Sequence, residues 1–290
     1  MTPRRLQYTG ELTRPSWRID RTPRMERVLG KFNSSVTRVA PVFGRLFASD
    51  ASGATWLPTL LHVGPGFRAA SASRVDAKLV DGHRPTWGED ELALPAPLAL
   101  LEHLVLTITP GQVAASGDQG EVLAIRRKLA ARDAETIGVA IDQLRAGARG
   151  RQWCVLEGAS RPDATLEMRD AVLVVEGKRT ERTCTSTTKW MGARSQLIRH
   201  MDAAMESYPG KTILGLLIVE GDGGADAVEP SVHWMGEASA QIAPELLRAS
   251  LPHRSPAERD RIASGVLGVT TWQRLCAVHR LPWPPAPDGP

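Results

Sequence analysis

Asp163, Glu176 and Lys178 are the residues of this 290-residue chain whose types and spacing suit joint chemistry. Asp163 stands just before residues 164–168, which alternate weakly between apolar and polar. Glu176 closes residues 171–175, a continuous β-branched and aliphatic run, so both segments have strand character. Arg169 and Asp170 lie between them, and the spacing predicts a tight hairpin. Side chains two apart on a strand share a face, so Lys178 is expected on the side of Glu176. Two carboxylates and one ammonium then meet at one corner. Such a carboxylate pair suits a hard divalent cation, Mg²⁺ first and Mn²⁺ as an alternative. The metal lowers the pKa of a bound water and stabilises charge on a phosphate oxygen. A neighbouring lysine can orient that water or set its charge against the phosphate in the transition state.

A solvated hairpin with charged ends is the competing explanation, since strand ends often carry charges. Two observations weigh against it. The Glu-Gly-Lys triplet follows Val-Leu-Val-Val directly, and lysine is scarce, with six among 36 Lys and Arg residues. Pro162-Asp163 followed thirteen positions later by Glu176-Gly177-Lys178 resembles the signature of the PD-(D/E)xK nuclease superfamily. The resemblance implies that Asp163 and Glu176 ligate Mg²⁺ and that Lys178 is catalytic. It also implies a restriction-endonuclease-like αβββαβ core with a mixed sheet flanked by helices. Many members add a glutamate from a helix preceding the core strands. Glu102 is the candidate here, because leucines surround it and a buried carboxylate needs a partner. Glu135 is the runner-up, nearer the usual sequence position but among more polar neighbours. Several branches carry a Gln, with a Tyr one turn later, on the helix after the Glu-x-Lys strand. Gln196 fits that pattern, but His200 stands one turn on, so no branch is assigned. Arg194, Gln196 and His200 are the candidate nucleic-acid contacts, with an ordinary helix-surface histidine as the alternative for His200.

Composition sets wider bounds. Charged residues make up 23% and hydrophobic ones 42%, which suits a globular chain and argues against wholesale disorder. A formal charge of +4 is compatible with nucleic acid without being diagnostic of it. Cys154, Cys184 and Cys276 are too widely spaced for a zinc pattern or an evident disulfide framework. The first residues lack the apolar stretch of a signal peptide, and no run approaches a membrane span, so a cytoplasmic location is expected. No nucleophile elbow, His-rich metal motif or Gly-rich dinucleotide loop is found. Pro209-Gly210-Lys211-Thr212 imitates the end of a phosphate loop, but Met205 stands where its first glycine belongs, so a turn is expected.

Along the chain, residues 1–31 hold seven arginines and are expected to form a basic arm or a solvated terminus, with a short helix at 24–32. Residues 35–63 look like short strands and turns broken by Pro and Gly. Leu98–Thr107 reads as a deeply packed helix, and 121–146 as one helix or two broken near Arg132-Asp133. Residues 153–157 are expected as a strand before the hairpin, and 180–189 as a loop over the site. Residues 190–207 form a helix whose apolar stripe is Leu197, Ile198, Met201, Ala204 and Met205, and 213–220 form a buried central strand. A short strand is expected at 232–235 and a helix or helix pair at 255–279, opened by a capping box at Ser255. The expected whole is an α/β chain with an N-terminal extension over 1–94 and a nuclease-like domain over 95–290 that includes C-terminal helices. The expected activity is metal-dependent hydrolysis of phosphodiester bonds, in DNA before RNA. The alternative is a non-catalytic module of the same fold that holds nucleic acid or a protein.

Overall fold

The computed structural model describes residues 34–64, 75–83, 86–87, 91–148, 150 and 152–285. The basic arm, the helix expected at 24–32 and residues 286–290 lie outside the described residues. The strands are β1 (Thr86–Trp87), β2 (Ala164–Glu167), β3 (Ala171–Gly177), β4 (Thr185–Thr187), β5 (Ala193–Ser195), β6 (Thr212–Val219) and β7 (Val266–Thr271). Five of them form one mixed sheet in the order β1-β2-β3-β6-β7, while β4 and β5 make a separate ribbon. β1–β2 and β2–β3 are antiparallel, and β3–β6 and β6–β7 are parallel. The chain is therefore an α/β protein.

β3 is buried along its whole length and β6 everywhere but its first residue, because both faces of the sheet are covered. Leu173, Val175, Leu214, Leu216 and Ile218 point into one apolar cluster, and Val172, Val174, Ile213, Leu217 and Val219 into another. The first cluster is closed by a π-helical turn (Ser35–Val39), α1 (Ala40–Ser49) and α2 (Leu57–Leu60). Four helices, α3 (Leu98–Thr107), α4 (Pro110–Ala115), α5 (Gly120–Ala130) and α6 (Ala134–Arg145), pack with Cys154, Leu156 and Trp190 as a satellite cluster. α7 (Gln196–Ser207), α8 (Val232–Gln241), α9 (Pro244–Ser250) and α10 (Pro256–Gly265) cover the second face, and α11 (Trp272–Val278) returns to the first. Among the described residues no helix is long and apolar enough to cross a membrane.

Five expectations need correction. Residues 35–49 and 57–60 are helical where short strands or turns were expected, and turns fill only the rest of 35–63: Val39, Val42, Phe43 and Leu46 recur at helical spacing, and Pro41 opens α1 instead of breaking it. Residues 153–157 are irregular, with Cys154 and Leu156 packed against the helices, so the third strand of the antiparallel part is β1. Residues 232–235 begin α8, capped by the Ser231 hydroxyl on the Trp234 N–H. Within 255–279 the capping box at Ser255 is present, but Val266–Thr271 is a parallel strand between two helices. The predicted helix at 190–207 begins only at Gln196, after a side-chain cap by Ser195.

Candidate active site

The hairpin turns at Arg169-Asp170 and its ladder ends at Ala164 opposite Val175, so Asp163 lies just before one strand and Glu176 is the next residue of the other. Glu176 continues the face of Val172 and Val174, the face that α7 covers, and Lys178 follows two residues later. The Lys178 Nζ lies 2.7 Å from Glu176 Oε1 and donates to Gln196 Oε1 at 2.7 Å. The other oxygen of Glu176 meets His200 Nε2 at 2.7 Å, and His200 Nδ1 meets the Ser160 hydroxyl at 2.6 Å. With the proton on Nε2 directed at the carboxylate, Nδ1 accepts from Ser160. Ser160 is itself fixed by a backbone bridge to Leu94. Asp163 Oδ2 accepts the Gly177 N–H at 2.7 Å, and Oδ1 accepts the Ser35 hydroxyl, which also lies 2.9 Å from Glu91 Oε1. Gly177 must be glycine: a Cβ there would stand 2.8 Å from the Trp272 ring, whose indole N–H donates to the Lys178 carbonyl.

Asp163, Glu176 and Lys178 are 9%, 3% and 6% exposed. Burial, reinforced by the charge of Glu176, pushes Asp163 up to about 7, against the opposing hydrogen bonds from Ser35 and Gly177. Burial would also raise Glu176, but His200 and Lys178 outweigh it and hold that carboxyl below its ordinary value. Burial would lower Lys178, yet Glu176 holds its ammonium above the usual range. Lys178 therefore acts as a charge and a donor at neutral pH, not as a proton acceptor. The donor chemistry fits a hard divalent cation: two buried carboxylates, one of them ionising late for want of positive charge. Among the described residues no set of three or more His, Cys, Asp or Glu forms a metal cage. Asp163 and Glu176 would supply two protein ligands, leaving the other positions to water, as Mg²⁺ tolerates.

The structure thus brings Glu176, Lys178, Gln196 and His200 into direct contact, with Asp163 beside them on the Gly177 N–H and Ser35. It does not bring Glu102, which pairs with Arg145 at 2.7 Å in the satellite helices. The leucines around it face the core of that cluster while its carboxylate reaches out to an arginine. Glu135 is exposed in the first turn of α6, where an acid favours the helix dipole. Arg194 is not a nucleic-acid contact: it is fully buried, 2.9 Å from Asp202 and 3.5 Å from Glu157. Gln196 and His200 face the site, on Lys178 and Glu176, and His200 is buried, not a helix-surface histidine. The sequence did not reveal Ser35, Glu91 and Ser160, which reach the corner from distant segments. His200 was legible in principle, since it falls between Leu197 and Met201 on the apolar stripe of α7. No family model, curated protein or solved structure matches this chain.

Proposed function

We propose that the chain hydrolyses phosphodiester bonds, in DNA before RNA, at a divalent-cation site held by Asp163 and Glu176. The observation that carries this reading is the Lys178 ammonium at 2.7 Å from Glu176, with Asp163 next to the end of the neighbouring strand, where the parallel strands β3 and β6 end. Ligand sites in open α/β sheets gather at the carboxyl ends of strands. A restriction-endonuclease-like frame for the hairpin, α7 and β6 belongs to the same reading. Mg²⁺ or Mn²⁺ would supply Lewis-acid stabilisation and an acidified water. Lys178 would orient that water and offset phosphate charge, Gln196 would hold the ammonium, and His200 would fix the glutamate carboxylate.

The test is cleavage of DNA by the full chain in Mg²⁺ or Mn²⁺ and in EDTA. Lys178→Ala and Lys178→Met should lower the rate at least ~100-fold, the scale of losing one charge-stabilising donor. Both lose about 3–5 kcal/mol of stability by leaving Glu176 buried without its ammonium, so rates and DNA retention are compared well below the melting temperature of each variant. Cleavage that survives in these variants, or in EDTA, defeats the proposal. One observation favours a second reading, a binding module of non-catalytic type: each oxygen of Asp163 and Glu176 already has a donor from the protein. DNA retention without product at any metal concentration would select it.

A further inference from the structure

Side chains exposed by 9% or less cannot meet a phosphodiester, so a chain that cuts DNA at this corner must uncover it. The cleft beside the site, about 220 Å³ and lined by Arg179, Arg182, Glu220, Asp222 and Trp234, includes none of Asp163, Glu176 and Lys178 in its walls. The π-helical turn Ser35–Val39 touches both the corner, at Asp163, and two residues of the cleft wall, Arg179 and Glu220. Three of its polar side chains grip strand ends. Ser35 donates to Asp163, Thr37 Oγ1 accepts from Arg179 Nη1 at 3.1 Å, and Arg38 holds Glu220 through Nε and Nη2, both at 2.8 Å. Arg38 also stacks 4.9 Å above the Trp283 ring. The apolar anchors of the same helical segment are displaced towards its other end, at Val39, Val42, Phe43 and Leu46.

That division separates a part that can move from a part that cannot. Detaching the polar turn exchanges hydrogen bonds and one part-exposed ion pair for water, a modest net cost. Detaching α7, the other cover, would expose Leu197, Ile198 and Met201. A π-helical turn is also a less regular ladder than the α-helix that follows it, and such turns cluster at functional sites. We infer that Ser35–Arg38, the polar part of this turn, is an autoinhibitory latch that closes the Asp163 side of the Asp163–Glu176–Lys178 corner and opens by releasing Arg38 from Glu220 and Ser35 from Asp163, with Val39 staying in the core as its hinge. The inference rests on the phosphodiesterase reading for its purpose, but its motion can be measured without any catalysis.

Amide hydrogen exchange on the full chain makes that measurement, with Arg38→Ala loosening the turn from one side and Glu220→Gln from the other. Both should speed exchange at residues 35–38 and at Gly177 by tenfold or more, with residues 214–217 of β6 unchanged. In DNA cleavage with Mg²⁺ both variants should exceed the wild type severalfold. Unchanged exchange at 35–38, or a rise that extends equally into β6, overturns the latch, as does wild-type cleavage that neither variant accelerates. Faster local exchange with no cleavage by any form leaves the latch standing and removes the phosphodiesterase. Glu220→Gln leaves the turn's own sequence intact, so an unfolded Arg38→Ala does not void the comparison.

Discussion

Burial and the charge of Glu176 hold Asp163 at about 7, against 3.8 for an unperturbed aspartate, so the folded chain resists ionising it. A folded-state pKa above the unfolded one contributes stability that is complete below 3.8 and is lost as pH rises through about 7. By pH 8 the difference is on the order of 4 kcal/mol. Asp163→Asn keeps the shape without the charge, since its amide oxygen can accept from Gly177 and its NH₂ can donate to Ser35. In EDTA at pH 8 the variant should be more stable than the wild type by roughly 1–3 kcal/mol, and at pH 4 the two should agree. Mg²⁺ should stabilise the wild type at pH 8 and not the variant. Urea denaturation at the two pH values checks this, and an equal gain at both would mean that charge is not the cause. The three motif residues were legible because one hairpin carries them and its register is set locally. Ser35 was not, because it meets Asp163 across 128 positions, a contact no spacing rule encodes.

α7 presents Gln196 and His200 to the corner by lying unusually close to β6. Gly215 is the reason: a Cβ there would fall on Met201 Sδ and 3.0 Å from Met201 Cγ. Gly215→Ala should therefore cost about 1–3 kcal/mol through overpacking and lower cleavage as well, because lifting α7 draws His200 and Gln196 from their partners. Loss of stability with an unchanged rate would detach the helix position from the chemistry. Elements with strong periodicity were legible. α3 matches its expected bounds, and α5 and α6 break where Arg132 takes φ +64° before the Asp133 cap. The misread elements were those whose short apolar runs suit either period. Val232, Trp234 and Met235 looked like a strand until the Ser231 cap and the six residues beyond made them helical. Ile262, Val266 and Leu267 keep helical spacing, yet Gly265 ends α10 with its Cα against the Ile213 carbonyl, and the chain runs on beside β6 as β7.

At the scale of the molecule, the described part of residues 1–94 shares its core with the sheet. Val39, Val42, Phe43, Leu46, Trp56, Leu57 and Leu60 sit in one cluster with Ala164, Leu173, Leu216 and Trp272. Beta1 supplies the sheet's edge strand through Thr86 and Trp87, and Phe43 and Phe47 pack on that tryptophan. From sequence the same stretch reads as an extension, with wrapping of the core the alternative for want of a linker; its contacts were not legible, because its apolar residues are divided among short pieces and their partners lie a hundred or more positions away. The energetics distinguish an extension from a layer of the core. Fully burying an aliphatic or aromatic side chain is worth about 1.5–3 kcal/mol, so the four anchors Val39, Val42, Phe43 and Leu46 alone amount to roughly 6–12 kcal/mol. That is comparable to the ~5–15 kcal/mol that separates a folded domain from its unfolded chain. A chain shortened to residues 95–290 should accordingly fail to give a cooperative thermal transition and should expose Leu173, Val175, Leu214 and Leu216 to a hydrophobic dye. Adding residues 34–94 back in the same polypeptide should restore the transition. A shortened chain that melts cooperatively near the temperature of the whole would make those residues a true appendage, and the face they cover a surface able to stand in water alone.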